Sequence, residues 1–282
     1  MEGGLLRQAT MKYSVGEIQP KQDRKDRAMA GLTLAGRARG PTAMNKTLVW
    51  DIPNRIFHWG FAGSITAAIA VGFLVDDEQP LFQLHMLFGM VALFLLIIRL
   101  AMGILGSRYS RFSSYPVHPR KVLDYLRRSI LSKTELYAGN NPGSASAALL
   151  MFLIIPYLYV SGTGFGGETI AELHGFFAWV LLAVVVVHLS GLIWHTIRHR
   201  ENSALAMVTG KKTGRQEDSI SSASPLWGVI ILLVSVLWIA ALFAGHNTSA
   251  STVKLPLIDV TVQLGENESD GGDEERDHDD DD

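Results

Sequence analysis

The chain has 282 residues, 48% of them hydrophobic, with a mean hydropathy of +0.20. It contains no cysteine, which excludes iron–sulfur clusters, thiolate-bound zinc and any group attached through a CxxCH motif. The net charge of −2 conceals a segregation: residues 266–282 hold eleven acidic side chains against Arg276 alone, and the rest of the chain is net basic.

Residues 1–46 are rich in Lys and Arg and lack the apolar core of a signal peptide, so a disordered basic extension is expected. Met44 offers an alternative translation start, because MNKTLVWDIPNRIFHWG reads as the opening of a membrane segment. Five apolar stretches follow, at 56–75, 81–105, 145–164, 170–195 and 226–244. Each is close to the ~20 residues that cross a hydrocarbon core. Runs such as VALFLLIIRLAMGIL and WVLLAVVVVHL show no polar face, unlike core helices of a soluble protein. The expected fold is an all-α integral membrane protein, with four spans in residues 47–212 and a linker and fifth transmembrane helix in 213–250. An acidic, disordered tail is expected over 251–282. Pro156 lies inside the third span and should kink it, and the SGTGFGG run from Ser161 suits a tight turn into the fourth.

The charges between spans give the topology. The 106–144 loop carries Arg108, Arg111, Arg120, Lys121, Arg127, Arg128 and Lys133. The connection after the fourth span carries Arg198, Arg200, Lys211, Lys212 and Arg215, whereas the first loop reads Asp76-Asp77-Glu78. The excess of Lys and Arg places both basic loops and the N-terminus in the cytoplasm and the acidic tail outside, in a multi-pass protein of the cell inner membrane. A tail of that sign either attracts a basic redox carrier at low salt or is a solvated extension without a partner.

Four histidines fall within the apolar stretches. His174 and His188 lie fourteen positions apart on one span. On a helix that rotates the chain by roughly 1,400°, about 40° short of four turns, and separates the rings by about 21 Å along the axis. One helix thus lends an imidazole to each of two levels. In the predicted topology His58 matches the depth of His188 near the inner face, and His85 matches His174 near the outer face. Two stacked bis-histidine pairs suit two non-covalent b-type haems, whose six-coordinate iron transfers electrons and leaves no position for dioxygen. The fold expectation sharpens accordingly to a four-helix transmembrane di-haem bundle plus a fifth transmembrane helix.

Gly89, Gly175 and Gly191 stand beside these histidines, either to receive a macrocycle or to let helices pack closely. Arg99 shares the face of His85 fourteen positions on, at the level of the inner pair, where a haem propionate would neutralise it; the alternative is a side chain reaching lipid phosphates. Arg55, three residues before His58, is open to the same two readings. His195 lies seven residues past His188 on the same face, at the membrane edge, and is the substitute ligand. His118, His199, His246 and His278 fall in loops or tails.

The segment VWDIPNRIFHW from Val49 to Trp59 resembles the opening of the bacterial cytochrome b561 and nickel–iron-hydrogenase b-type cytochrome group. So do His85 with Gly89 and Arg99, Asn141-Pro142-Gly143, His174 with the HLSG run from His188 to Gly191, and Arg200-Glu201-Asn202 followed by MVTG from Met207 to Gly210. The resemblance covers roughly residues 47–212. It implies a four-helix core holding two haem b groups on His58, His85, His174 and His188, agreeing with the depth pairing. It also implies exchange of electrons with quinone and with a redox partner, such as a cytochrome c, a hydrogenase-type complex or superoxide. The fifth span, the acidic tail and the basic head depart from the simplest four-helix members.

Two other classes are weighed. A membrane metal-ion transporter using intramembrane histidines would gather its ligands at one depth with carboxylates, whereas here they stand at two depths and spans two to four offer only Glu172. A non-redox anchor would use its histidines to hydrogen-bond between helices. Nothing in the sequence points to nucleic acid.

Overall fold

The computed structural model describes residues 45–131, 136–162 and 168–264. The expected basic head and most of the acidic tail lie outside these residues.

Helix α1 (Ile52–Leu74) begins where Asp51 caps it, its Oδ1 accepting from the Asn54 amide at 2.9 Å, with a proline in the first turn. A 3₁₀ turn at Pro80–Phe82 leads into α2 (Gln83–Leu105). The basic loop is not loop throughout: it contains helix α3 (Pro119–Leu131). Helix α4 (Pro142–Gly162) starts at Asn141, whose Oδ1 accepts from the Ser144 amide at 2.8 Å, and runs through Pro156. Helix α5 (Glu168–His199) is the longest at 32 residues, α6 (Ser203–Thr209) is short, and α7 (Pro225–Ala244) is the fifth apolar helix. Five helices are long and apolar enough to cross a membrane, namely α1, Pro80–Leu105, α4, Glu172–His199 and α7. The predicted spans match them to within a few residues.

Helices α1 and α2 pack along each other, α4 and α5 do the same, and α2 joins the two pairs through α4. Buried Phe57, Phe61, Leu87, Leu95, Ile154 and Leu181 fill the centre. Helix α2 is the most buried span and α5 the least. Helix α7 leans on α1, where Gly228 lies so close to Ile52 that a Cβ would stand 2.4 Å from its side chain.

Each end of the bundle carries a small sheet. At one end β1 (Asn45–Leu48) pairs antiparallel with β2 (Lys211–Gly214), Asn45 opposite Gly214 and Leu48 opposite Lys211. Gly210 ends α6 in the left-handed conformation (φ 77°), and its carbonyl accepts from the Val49 and Trp50 amides at 2.8 and 3.0 Å. At the other end β3 (His246–Asn247), β4 (Thr252–Lys254) and β5 (Thr261–Gln263) form an antiparallel sheet after α7. This corrects the expectation of disorder from residue 251: the acidic bias begins only later, and Val253 and Leu264 are buried beneath the sheet. Gln83 anchors it to the start of α2, donating to the Thr248 carbonyl (3.2 Å) and Ser251 Oγ (3.0 Å), with His246 Nε2 2.6 Å from its Oε1.

Candidate functional site

The bundle brings two of the four intramembrane histidines into ring contact. His85, in the first turn of α2, and His174, near the start of α5, have ring centres 6.0 Å apart with planes inclined at 72°. Two imidazoles that bind one metal from opposite sides, each at about 2 Å, would have ring centres about 6 Å apart. Each ring is also oriented from behind. His85 Nδ1 lies 2.8 Å from the Ala68 carbonyl, so that nitrogen carries the proton and donates, leaving Nε2 with its lone pair. His174 Nδ1 lies 3.0 Å from Ser161 Oγ, whose own proton goes to the Leu158 carbonyl at 3.2 Å, so the ring nitrogen donates here too and Nε2 is left free to ligate. Gly72 and Gly162 admit these rings: a Cβ at Gly72 would stand 2.8 Å from His85 Nδ1, and one at Gly162 3.1 Å from His174 Cε1.

At the other level His58 of α1 and His188 of α5 lie within electrostatic range of each other. His58 Nδ1 is buried without a hydrogen-bond partner, and the ring packs edge-on against Trp59 at 5.2 Å. Arg99 of α2 is only 2% exposed, so it does not extend to lipid phosphates. Its guanidinium carbon lies 5.1 Å from the Phe112 ring centre, 5.7 Å from Phe57, and 5.8 Å from both Tyr115 and Phe152. Nη2 donates to the Tyr115 hydroxyl, while Nη1 is buried with no partner. An unpaired cation in an aromatic cage calls for an anion. Arg55 donates through Nη2 to the Val208 carbonyl and keeps its Nε buried and unpartnered.

Gly89, Gly175 and Gly191 have nothing within 4 Å of where a Cβ would stand. Helix α5 has its broad interface with α4 and none of comparable extent with α1 or α2, although His174 meets His85. Orphaned ring and guanidinium nitrogens, open glycine faces and paired imidazoles fit a flat, anionic macrocycle held by axial ligands. Among the described residues no three His, Cys, Asp or Glu side chains converge as a tetrahedral metal site would require.

His195 is directed elsewhere. It is 8% exposed, stacks on His199 at 4.5 Å, and holds Nε2 3.6 Å from Glu201 Oε2. Outside the spans, Glu201 Oε1 accepts from the Thr213 amide at 3.0 Å. Burial pushes the Glu201 carboxyl up, but His195, Lys212 and the Thr213 amide outweigh it and hold the group below the usual carboxylate range. Burial pushes the Lys212 ammonium down, partly offset by Glu201, while Nζ donates to the Tyr137 carbonyl at 2.6 Å and that of Gly139 at 3.3 Å. The Arg200-Glu201-Asn202 run therefore fastens the loop after α5, with Asn202 Oδ1 capping α6 through the Leu205 amide at 2.9 Å. Sequence reasoning missed Ala68, Gly72, Ser161 and Gly162, because each acts through a neighbouring helix.

Residues 49–210 match the family model described as prokaryotic cytochrome b561. Among curated proteins, the chain is 24% identical over 229 residues to the probable Ni/Fe-hydrogenase B-type cytochrome subunit of Bradyrhizobium diazoefficiens, covering 64% of this chain and 93% of the relative. The proteins of the same name from Rhizobium leguminosarum bv. viciae and Rhodobacter capsulatus are 22% and 20% identical, over 64% and 60% of this chain and 95% and 82% of theirs. No solved structure matches the chain significantly.

Proposed function

The chain belongs to the prokaryotic cytochrome b561 family, a family of helical membrane bundles that carry electrons on haem b, and from that premise we propose that it holds two haems and passes electrons between quinone in the bilayer and a redox partner. His85 and His174 ligate one iron, His58 and His188 the other. The partner is of the hydrogenase type for which its relatives are named; a basic carrier such as a cytochrome c is the alternative. The Lys and Arg excess of the loops supports an orientation with the His58/His188 end at the cytoplasmic face of the inner membrane and the His85/His174 end outside.

Haem would supply a one-electron ferric–ferrous couple, and His85, His174, His58 and His188 would hold it and leave no iron position for dioxygen. The protein's own groups set its surroundings. Ala68 and Ser161 fix the tautomers and orientations of His85 and His174. Arg99 Nη1 offers a donor to a propionate, and Gly89, Gly175 and Gly191 leave faces against which a ring can lie. Fourteen residues of α5 separate the two levels by about 21 Å, most of a ~30 Å hydrocarbon core.

The observation that carries the reading is the His85/His174 pair at 6.0 Å with both Nδ1 atoms already partnered. A metal-ion transporter is not favoured by the family or by ligands at two separate levels. Reduced-minus-oxidised spectra and haem-to-protein stoichiometry of the purified chain test the proposal. Two low-spin b-type haems per chain, both reducible by quinol, are expected; one haem, or spectra of an open coordination position, would overturn it.

A further inference from the structure

An apolar groove of about 460 Å³ lies between α1, α2, α6 and α7, lined among others by Arg55, Trp59, Leu95, Val208, Ser235 and Ile239. This volume is in the range of sites that hold a small organic ring. Its walls include half-exposed faces of membrane-spanning helices, Trp59 at 51% and Val236 at 53%, so it opens where lipid would lie. Two donors in its lining are unpartnered. Ser235 is 6% exposed, and its hydroxyl has no hydrogen-bond partner. A serine within an apolar helix ordinarily donates back to the carbonyl four residues earlier, and this one does not. Arg55 Nε is the second. The mouth is fixed by α6, with Trp59 Nε1 donating to the Met207 carbonyl at 3.1 Å and Arg55 to that of Val208. The Trp59 ring that lines the groove is also the ring packed against His58.

We propose that this groove, completed by the fifth helix, binds the ring of a membrane quinone, with Ser235 Oγ and Arg55 Nε donating to its carbonyl oxygens. An acyl chain would fill the volume but leave both donors unsatisfied, whereas a quinone brings carbonyl acceptors and an apolar tail that leaves toward the bilayer. The site rests on the quinone-linked function proposed above and assigns it a place, one aromatic ring away from His58. It also gives the fifth helix a task, since Ser235 and Ile239 both come from α7.

The test uses the full haem-loaded chain in lipid nanodiscs and a photoreactive azido-benzoquinone with a decyl tail. Labelling is expected on peptides from α1, α2, α6 and α7, which line the groove, displaced by unlabelled decyl benzoquinone and not by excess phospholipid. Ser235→Ala, which removes one donor, should weaken binding about tenfold. Ser235→Leu, which fills the groove, should abolish it, and both variants should keep wild-type haem content and spectra. Wild-type binding to the Leu variant, label mapping to other helices, or displacement by phospholipid would each overturn the site, even where quinol still reduces the haems. Failure of quinol to reduce wild-type haem would instead bring down the functional proposal, whatever the label shows.

Discussion

The two histidine pairs are built differently. His85 and His174 are held from behind, by a backbone carbonyl of α1 and a serine of α4, with rings in contact. His58 has an unpartnered ring nitrogen, and its surroundings are set by an aromatic-caged arginine and by Trp59. One pair is prepared by hydrogen bonds that fix orientation, the other by charge and aromatic packing. Under the proposed di-haem function the two centres would be tuned by separate means: the first through the basicity of its ligands, the second through the field around it.

Ligand removal tests that separation most forcefully. His188→Ala should lose the centre at the His58 end and keep the other, halving the haem measured by pyridine haemochrome. His85→Ala should do the converse, and loss of both haems from either variant would show that the levels are one unit. Ser161→Ala removes the partner of His174 Nδ1 and should weaken haem retention at that end alone, by about 10–100-fold as for other groups that orient a metal-bound histidine. Competitive haem transfer to apomyoglobin reads this out. Arg99→Leu should lower the midpoint potential of the His58/His188 centre, since removing a cation disfavours the added electron. A unit charge about 10 Å away at an effective dielectric of about 20 is worth about 1.7 kcal/mol, roughly 70 mV for one electron. A redox titration in which only the other centre moves would reverse the assignment.

The smallest effect lies outside the membrane. Glu201 is held below the ordinary carboxylate pKa, so its contribution to stability is present above that value and is lost as pH falls through the lowered one. Glu201→Gln should loosen β2 by on the order of 1 kcal/mol at pH 7, seen as faster amide exchange at Thr213, with the gap closing below about pH 4. Haem spectra at the His85/His174 end should not change.

The spans and the spacing of His174 and His188 were legible in the sequence because each rests on a pattern within one helix: an apolar run, or a fourteen-residue interval that returns to the same face. What orients the rings was not, because Ala68, Gly72 and Gly162 carry no distinguishing chemistry and Ser161 meets His174 only through the packing of α4 on α5. Charge counting read the 106–144 loop as basic and passed over α3, where exposed Leu123, Leu126 and Ile130 share one face. The terminal sheet was hidden by the acidic run after it, although Val253, Val262 and Leu264 already carry a strand-like alternation of apolar residues. His195 shows the limit of helical phase: it shares the face of His188, yet the loop after α5 presents Glu201 to it.

The clasp between β1 and β2 bears on the order in which the molecule matures. Thr47 meets the carbonyl of Lys212 across 165 residues of sequence, and the Gly210 carbonyl receives Val49 and Trp50 over a similar interval. The ribosome must therefore finish α5 and α6 before the segment in front of His58 can be tied down. The contact of His85 with His174 needs no residue beyond the first half of α5. The two ends of the bundle thus close in sequence during synthesis, the His85/His174 end first. A chain stopped just before Lys211 would carry all four histidines and still lack the fastening that sets one of them in place.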